Sequence, residues 1–222
     1  MKLFLDTANI QEIREAVALG AINGVTTNPS LAAKENIGDL ESYKTAIISI
    51  TKLINGPISV EVTAADTMQM VQQAEEIANW HPNVVVKIPS TLDGFRAMAA
   101  ITRQGIAVNQ TLCFSVNQAI LGAQAGARYV SPFVGRLDDE GLDGMQVVAD
   151  IVEVFHKHGI KTQVLAASIR HPLHVTAAAK VGADVVTLPL KVLIQMTQHS
   201  LTDVGMARFM KDWQSAGGQK RP

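Results

Sequence analysis

Ile58-Ser59-Val60-Glu61-Val62-Thr63 decides the fold. Side chains alternate across a strand, so Ile58, Val60 and Val62 share one face while Ser59, Glu61 and Thr63 share the other. An open antiparallel sheet would turn that polar face to water. In a sheet closed into a barrel and wrapped by helices, the apolar face meets the helices and the polar face must point inward. The same parity groups Phe4 with Asp6, Thr26 with Asn28, Val85 with Lys87, Asn109 with Thr111, Ser131 with Phe133, and Ser168 with Arg170. The polar members gather at the C-terminal ends of their strands, where barrel enzymes build active sites. A buried polar group costs free energy unless it is hydrogen-bonded, so this accumulation points to a functional cavity rather than to packing.

Outward from this segment the chain reads as repeated βα units. Strands are expected at Lys2–Leu5, Gly24–Thr27, Ile58–Val62, Asn83–Ile88, Ala107–Thr111, Tyr129–Phe133, Thr162–Ala166 and Asp184–Leu188. Between and after them, amphipathic patterns predict helices from about Ile10, then within Asp39–Leu53, Thr67–Trp80, Leu92–Arg103, Val116–Ala125, Gly144–His158 and Pro172–Val181, with a short one around Val192–Thr197. Asn9-x-x-Glu12 resembles a capping box at the first of these. Eight near-equal units with no linker predict an α/β fold of the (β/α)8 (TIM) barrel type, formed by residues 1–222 as a single domain. A doubly wound sheet would not need so many equal units. Residues 200–215, about Leu201–Ser215, predict one more amphipathic helix, followed by a polar end at Gly217–Pro222. A helix past a closed barrel has no core position left, which suits it to cover a neighbouring subunit.

The 222 residues are 47% hydrophobic and 18% charged, as in a globular protein with a substantial core. A net charge of -1 offers no global field for nucleic acid or an anionic membrane. The single cysteine, Cys113, leaves no partner for an intramolecular disulfide and reads as a small apolar packing residue. Acidic Asp6 interrupts the only apolar start, and no apolar run reaches membrane-spanning length, so a cytoplasmic protein without a signal peptide is expected. The histidines lack metal-ligand spacing; His171 and His174 share a helical register without a clear third ligand. Gly122 and Gly126 fall in a helix rather than in a nucleotide loop, so neither a metal nor another cofactor is expected.

Val84-Val85-Val86-Lys87-Ile88-Pro89 places one lysine at the end of an apolar, β-branched run stopped by proline. Partial desolvation there disfavours a charged amine, and a neutral amine can attack a ketone where an ammonium cannot. A lysine whose head snorkels to solvent, or pairs with a carboxylate, would give the same pattern.

Four motifs occur in order: Asp6-Thr7-Ala8-Asn9, Gly24-Val25-Thr26-Thr27-Asn28-Pro29-Ser30, Val86-Lys87-Ile88-Pro89 and Ser131-Pro132-Phe133-Val134-Gly135-Arg136. Together they resemble the transaldolase family in its short form, which includes the fructose 6-phosphate aldolases, from Leu3 to about Trp213. The resemblance implies that Lys87 forms an imine with C2 of a ketose phosphate and that Asp6 is the general base at the C4 hydroxyl. Glu61 and Thr111 would hold the water that shuttles protons. Thr26 belongs to the second motif and would line the substrate site. Asn28, Asn109 and Ser131 would hydrogen-bond the enamine hydroxyls, and Arg136, Ser168 and Arg170 would bind phosphate. Spacing alone equally allows Arg136 an ion pair with Asp138 or Asp139. Free aldolases of the family typically carry glutamine and tyrosine where this chain has Glu61 and Phe133, so the resemblance favours transaldolase of the pentose phosphate pathway over aldolase. Asn109 and Arg170 agree with that. The family also implies a homo-oligomer, a pentamer or decamer, acting on sugar phosphates.

Overall fold

The structure, a computed structural model, describes residues 1–216. Eight strands close into a barrel in sequence order: β1 (Lys2–Asp6), β2 (Gly24–Thr26), β3 (Ile58–Glu61), β4 (Val84–Pro89), β5 (Val108–Cys113), β6 (Tyr129–Pro132), β7 (Gln163–Ala166) and β8 (Val185–Leu188). Every pairing is parallel, including β1 with β8, which closes the ring. The helices are α1 (Ile10–Ala18) after β1, then α2 (Pro29–Lys34) and α3 (Leu40–Thr51) after β2. α4 (Thr67–Ala78), α5 (Leu92–Thr102) and α6 (Val116–Gln124) follow β3, β4 and β5 in turn. α7 (Val134–Asp139) and α8 (Gly144–Lys157) follow β6, α9 (Pro172–Val181) follows β7, and α10 (Leu190–Gln195) and α11 (Ser200–Ser215) follow β8. The (β/α)8 barrel with an added C-terminal helix is thus the architecture.

The helix starts are written locally. Asp39, Asp66, Thr91, Ser115 and Asp143 each accept a hydrogen bond from the backbone N–H three residues on, satisfying a donor that the helix itself cannot. Asn9 caps α1 through Gln11 and Glu12, but Glu12 returns no bond to it; its carboxylate accepts from the Thr7 hydroxyl instead, so the expected reciprocal box is half present. α9 stops at Gly182, whose φ of 85° is left-handed backbone that a side chain would resist.

Strand parity sorts the apolar side chains into two bodies. Leu5, Val25, Ile58, Val60, Val84, Val86, Ile88, Val130, Val164 and Val186 belong to the large cluster beneath the helices. Phe4, Val85, Tyr129, Leu165 and Val185 form a separate plug inside the barrel. Phe4 and Tyr129 meet edge to face in it, with ring centroids 6.1 Å apart. This plug closes the N-terminal half of the interior and leaves the C-terminal half to polar groups.

One irregularity changes the parity. β5 slips its register against β6 between Gln110 and Cys113, and Leu112 has φ 51°. The bulge turns Cys113 out of the barrel into the outer core, where it is fully buried and its thiol is pushed up to about 11 by desolvation. Packing is therefore its role, as expected.

α11 buries none of its residues; Leu201, Val204, Phe209 and Trp213 are exposed. No helix among the described residues is long and apolar enough to cross a membrane. The polar end expected at Gly217–Pro222 lies outside the described residues.

Candidate functional site

Lys87 sits on the inward face of β4, 4% exposed, with Nζ 3.1 Å from Glu61 Oε2 across the β3–β4 register. Its ammonium also donates to the Thr27 carbonyl at 3.3 Å. The lysine is thus neither solvated nor alone. The carboxylate it pairs with is 13% exposed and belongs to the strand that revealed the parity. A proton passed from Nζ to Glu61 would leave a neutral amine without moving either chain.

Asp6 ends β1 on the same inward side. Burial holds its carboxyl above the usual value of 3.8, against the lowering pull of Lys87, the Thr26 hydroxyl and Lys34. Thr26 Oγ1 donates to Asp6 Oδ1 at 2.7 Å and lies 2.6 Å from Thr187 Oγ1. Since the Thr26 proton goes to the carboxylate, Thr187 is the donor to Thr26, and a hydroxyl relay runs from β8 through β2 to β1.

Beyond Lys87, Asn109 Nδ2 donates to Ser59 Oγ at 3.0 Å and Asn109 Oδ1 accepts from Ser131 Oγ at 2.6 Å. Both Asn109 and Ser131 are buried. Asn28 caps α2 with Oδ1 accepting from Leu31 N at 2.9 Å, which leaves its amide hydrogens available for a ligand. Thr111 lies on the same face of β5 as Asn109 and is fully buried, and its hydroxyl finds no partner among the described residues. Such an orphan is uncommon and fits a group kept for water or substrate.

Phe133 separates the amine from a guanidinium. Lys87 Nζ stands 5.9 Å from its ring centroid and Arg136 Cζ stands 5.1 Å, while Phe114 braces its edge at 5.8 Å. A cleft at the C-terminal mouth is lined by Asp6, Asn28, Lys87, Ser131, Phe133 and Arg136, together with Thr26, Ala167, Ser168 and Thr187. Most of the expected side chains therefore converge.

Strand alternation places neither Ser168 nor Arg170 as expected. Ser168 does not reach the cleft by strand parity: β7 ends at Ala166, Ala167 bridges Phe133, and Ser168 has φ 58°. The left-handed turn, not the alternation, swings it to the mouth. Arg170 is not among the residues lining the cleft; Nη2 is held 2.6 Å from Asp139 Oδ2. Arg136, for its part, pairs with neither Asp138 nor Asp139. Asp138 goes to His174 Nε2 at 3.2 Å, and burial, with His171 beside it, lowers the His174 pKa. Thr187 was missed, although it shares a face with Val185 in an otherwise apolar strand.

Fold and site together define a class: a (β/α)8 barrel with a buried lysine–carboxylate pair and a second, partly desolvated carboxylate at its C-terminal mouth. The family model for Transaldolase/Fructose-6-phosphate aldolase matches residues 3–220. A protein of Dehalococcoides mccartyi named probable transaldolase is 57% identical over 216 residues, covering 97% of this chain and 99% of its own. Proteins of the same name from Thermoanaerobacter sp. (strain X514) and Roseiflexus sp. (strain RS-1) are 54% and 53% identical, each across 98% or more of its own length. The chain belongs to the transaldolase/fructose-6-phosphate aldolase family, and it is an enzyme of the aldolase/transaldolase type.

Proposed function

We propose that the protein is a transaldolase that moves a dihydroxyacetone unit from a ketose phosphate, fructose 6-phosphate or sedoheptulose 7-phosphate, to an aldose phosphate. Its place would be the pentose phosphate pathway. The observation that carries the reading is the Lys87–Glu61 pair at 3.1 Å, whose lysine lines the same cleft as Asp6. Lys87 gives a proton to Glu61 and attacks C2 of the ketose, and the carbinolamine loses water to give a protonated imine. Glu61 and the Thr111 hydroxyl hold the water that carries these protons. Asp6 removes the C4 hydroxyl proton, the C3–C4 bond breaks, its electrons flow into the imine, and the first aldehyde leaves. Asn28, Asn109 and Ser131 hold the remaining enamine through its hydroxyls until the acceptor aldehyde enters and the steps reverse. Arg136, Ser168 and Arg170 bind the phosphate, where a guanidinium gives bidentate contact.

Phe133 supports transfer over release. An aldolase must protonate the enamine to free dihydroxyacetone, and a phenyl ring at the amine has no proton to give. The deciding assay is aldehyde release from fructose 6-phosphate with and without erythrose 4-phosphate. Turnover that needs the acceptor is expected; equal turnover without it would make the enzyme a fructose 6-phosphate aldolase. In the same assay Phe133→Tyr is expected to raise acceptor-independent release of dihydroxyacetone, approaching the ~10²-fold that a positioned proton donor supplies. No change there would remove Phe133 from the account of specificity.

A homo-oligomer belongs to the same proposal. The exposed Leu201, Val204, Phe209 and Trp213 of α11 are apolar surface that a second copy would cover. Deleting residues 200–222 is expected to lower the sedimenting mass, and an unchanged mass would dismiss that role for the helix.

A further inference from the structure

The two arginines of the phosphate subsite are in different states. Arg136 lines the cleft, stacks on Phe133 and pairs with no carboxylate among the described residues. Arg170 is drawn aside by Asp139, with both side chains more than half exposed. A Cβ built on Gly135 would stand 2.4 Å from Arg170 Nε and 2.4 Å from the Ser168 carbonyl. The Arg170 side chain therefore lies directly across the start of α7, with its end at Asp139 three residues beyond Arg136. One short helix presents both a cation for the phosphate and an anion that competes for the second cation.

The neighbouring acid is engaged differently. Asp138 accepts from Gly144 N at 3.0 Å and meets His174, tying α7 to α8 and α9. Asp139 has Arg170 as its partner and holds nothing else in place among the described residues.

We propose that Asp139 sets the phosphate affinity of the site by competing with the substrate for Arg170. This rests on the reading of Arg136, Ser168 and Arg170 as the phosphate subsite. In the free enzyme Asp139 parks the guanidinium beside the cleft. A sugar phosphate, with nearly two charges and three acceptor oxygens against a single exposed carboxylate, takes it over. Asp139 is then left in water, where an unpaired carboxylate is tolerated. When product leaves, Arg170 returns, so part of the phosphate contact is given back at release. Asp139 is a positioning residue: it acts through Arg170 and not on the reacting carbons.

An exposed pair of this kind weakens its competitor by about two- to fivefold. The measurement is the Kd of inorganic phosphate by ³¹P NMR titration, with KM and kcat for the sugar phosphate beside it. Asp139→Asn is expected to tighten phosphate two- to fivefold and to lower KM by the same factor without raising kcat. Asp139→Ser should do the same. The effect should vanish in an Arg170→Gln background, and Glu140→Gln, which removes an exposed charge next door, should produce less. Weaker or unchanged phosphate binding in Asp139→Asn, or an equal gain in Glu140→Gln, overturns the proposal. If Arg136→Gln and Arg170→Gln both leave the Kd of phosphate unchanged, the phosphate subsite itself is wrong and this inference falls with it.

Discussion

Lys87→Met is expected to fold, to lose on the order of 10⁴- to 10⁶-fold in kcat/KM as enzymes do on losing a covalent nucleophile, and to yield no borohydride-trapped adduct with fructose 6-phosphate. Methionine fills nearly the same volume inside the barrel without an amine. The packing around Phe133 should persist, because an unbranched side chain at 87 still reaches the ring. The cost lies elsewhere. Glu61 loses the ammonium at 3.1 Å, and Asp6 loses a charge that helps to keep it ionised. A fully buried pair broken on one side costs about 3–5 kcal/mol; with Glu61 partly exposed we expect roughly 1–3. Lys87→Met/Glu61→Gln should recover most of this while remaining inactive. That double variant separates chemistry from stability. An adduct trapped on another lysine, or turnover within tenfold of the parent, would end the assignment of Lys87 as the imine-forming amine.

Much of the site was legible because strands impose a strict alternation. Once Ser59 and Glu61 could not face the helices, Asp6, Thr26, Lys87, Asn109 and Ser131 followed on the same face, and the structure brings them together at one mouth. Alternation fails where the backbone leaves the strand. Ser168 reaches the cleft through a positive φ, and Cys113 leaves the interior through a bulge; neither device has a fixed sequence signature in a non-glycine residue. The short helices α2 and α7 escaped for a related reason. Less than two turns gives little periodicity to read, and such pieces are held by tertiary contacts and caps rather than by propensity. The Asn28–Pro29 step was the one local cue to α2 and went unread: Asn28 caps the helix and proline opens its first turn.

The partners of charged side chains were the least legible. From spacing, Asp138 and Asp139 could equally serve Arg136, yet one is taken by His174 and the other by Arg170. The Gly144 N–H holds Asp138 from nearby in the chain, but the partners His174 and Arg170 arrive only through the approach of the β7–α9 segment to α7. Thr187 was hidden in the same way. Its hydroxyl matters because barrel closure brings β8 beside β1, so a residue 161 positions away bonds Thr26 and, through it, orients Asp6.

Asp6→Asn is expected to lower kcat by about 10²- to 10⁴-fold while raising thermal stability at neutral pH. Both effects have one cause. Asparagine keeps the shape and can still accept from Thr26, but it cannot take the C4 hydroxyl proton. In the parent, burial holds the Asp6 carboxyl above its usual 3.8, so the fold favours the protonated acid more than the unfolded chain does. The destabilisation from the ionised form is therefore fully present above the raised folded pKa and disappears as pH falls toward 3.8. The Tm gain of Asp6→Asn should be largest near pH 7 to 8 and shrink on acidification across that window. Activity runs the opposite way, because the base works only when ionised, so the acid limb of kcat/KM should lie above pH 3.8 in the parent. Thr26→Val removes the hydroxyl that stabilises the carboxylate and should push that limb further up, a shift that a purely packing role for Thr26 would not produce. A limb that stays put in Thr26→Val, with Asp6→Asn turnover within tenfold of the parent, would take the proton transfer away from Asp6. The remaining carboxylate facing Lys87, Glu61, would then have to supply both protons' destinations.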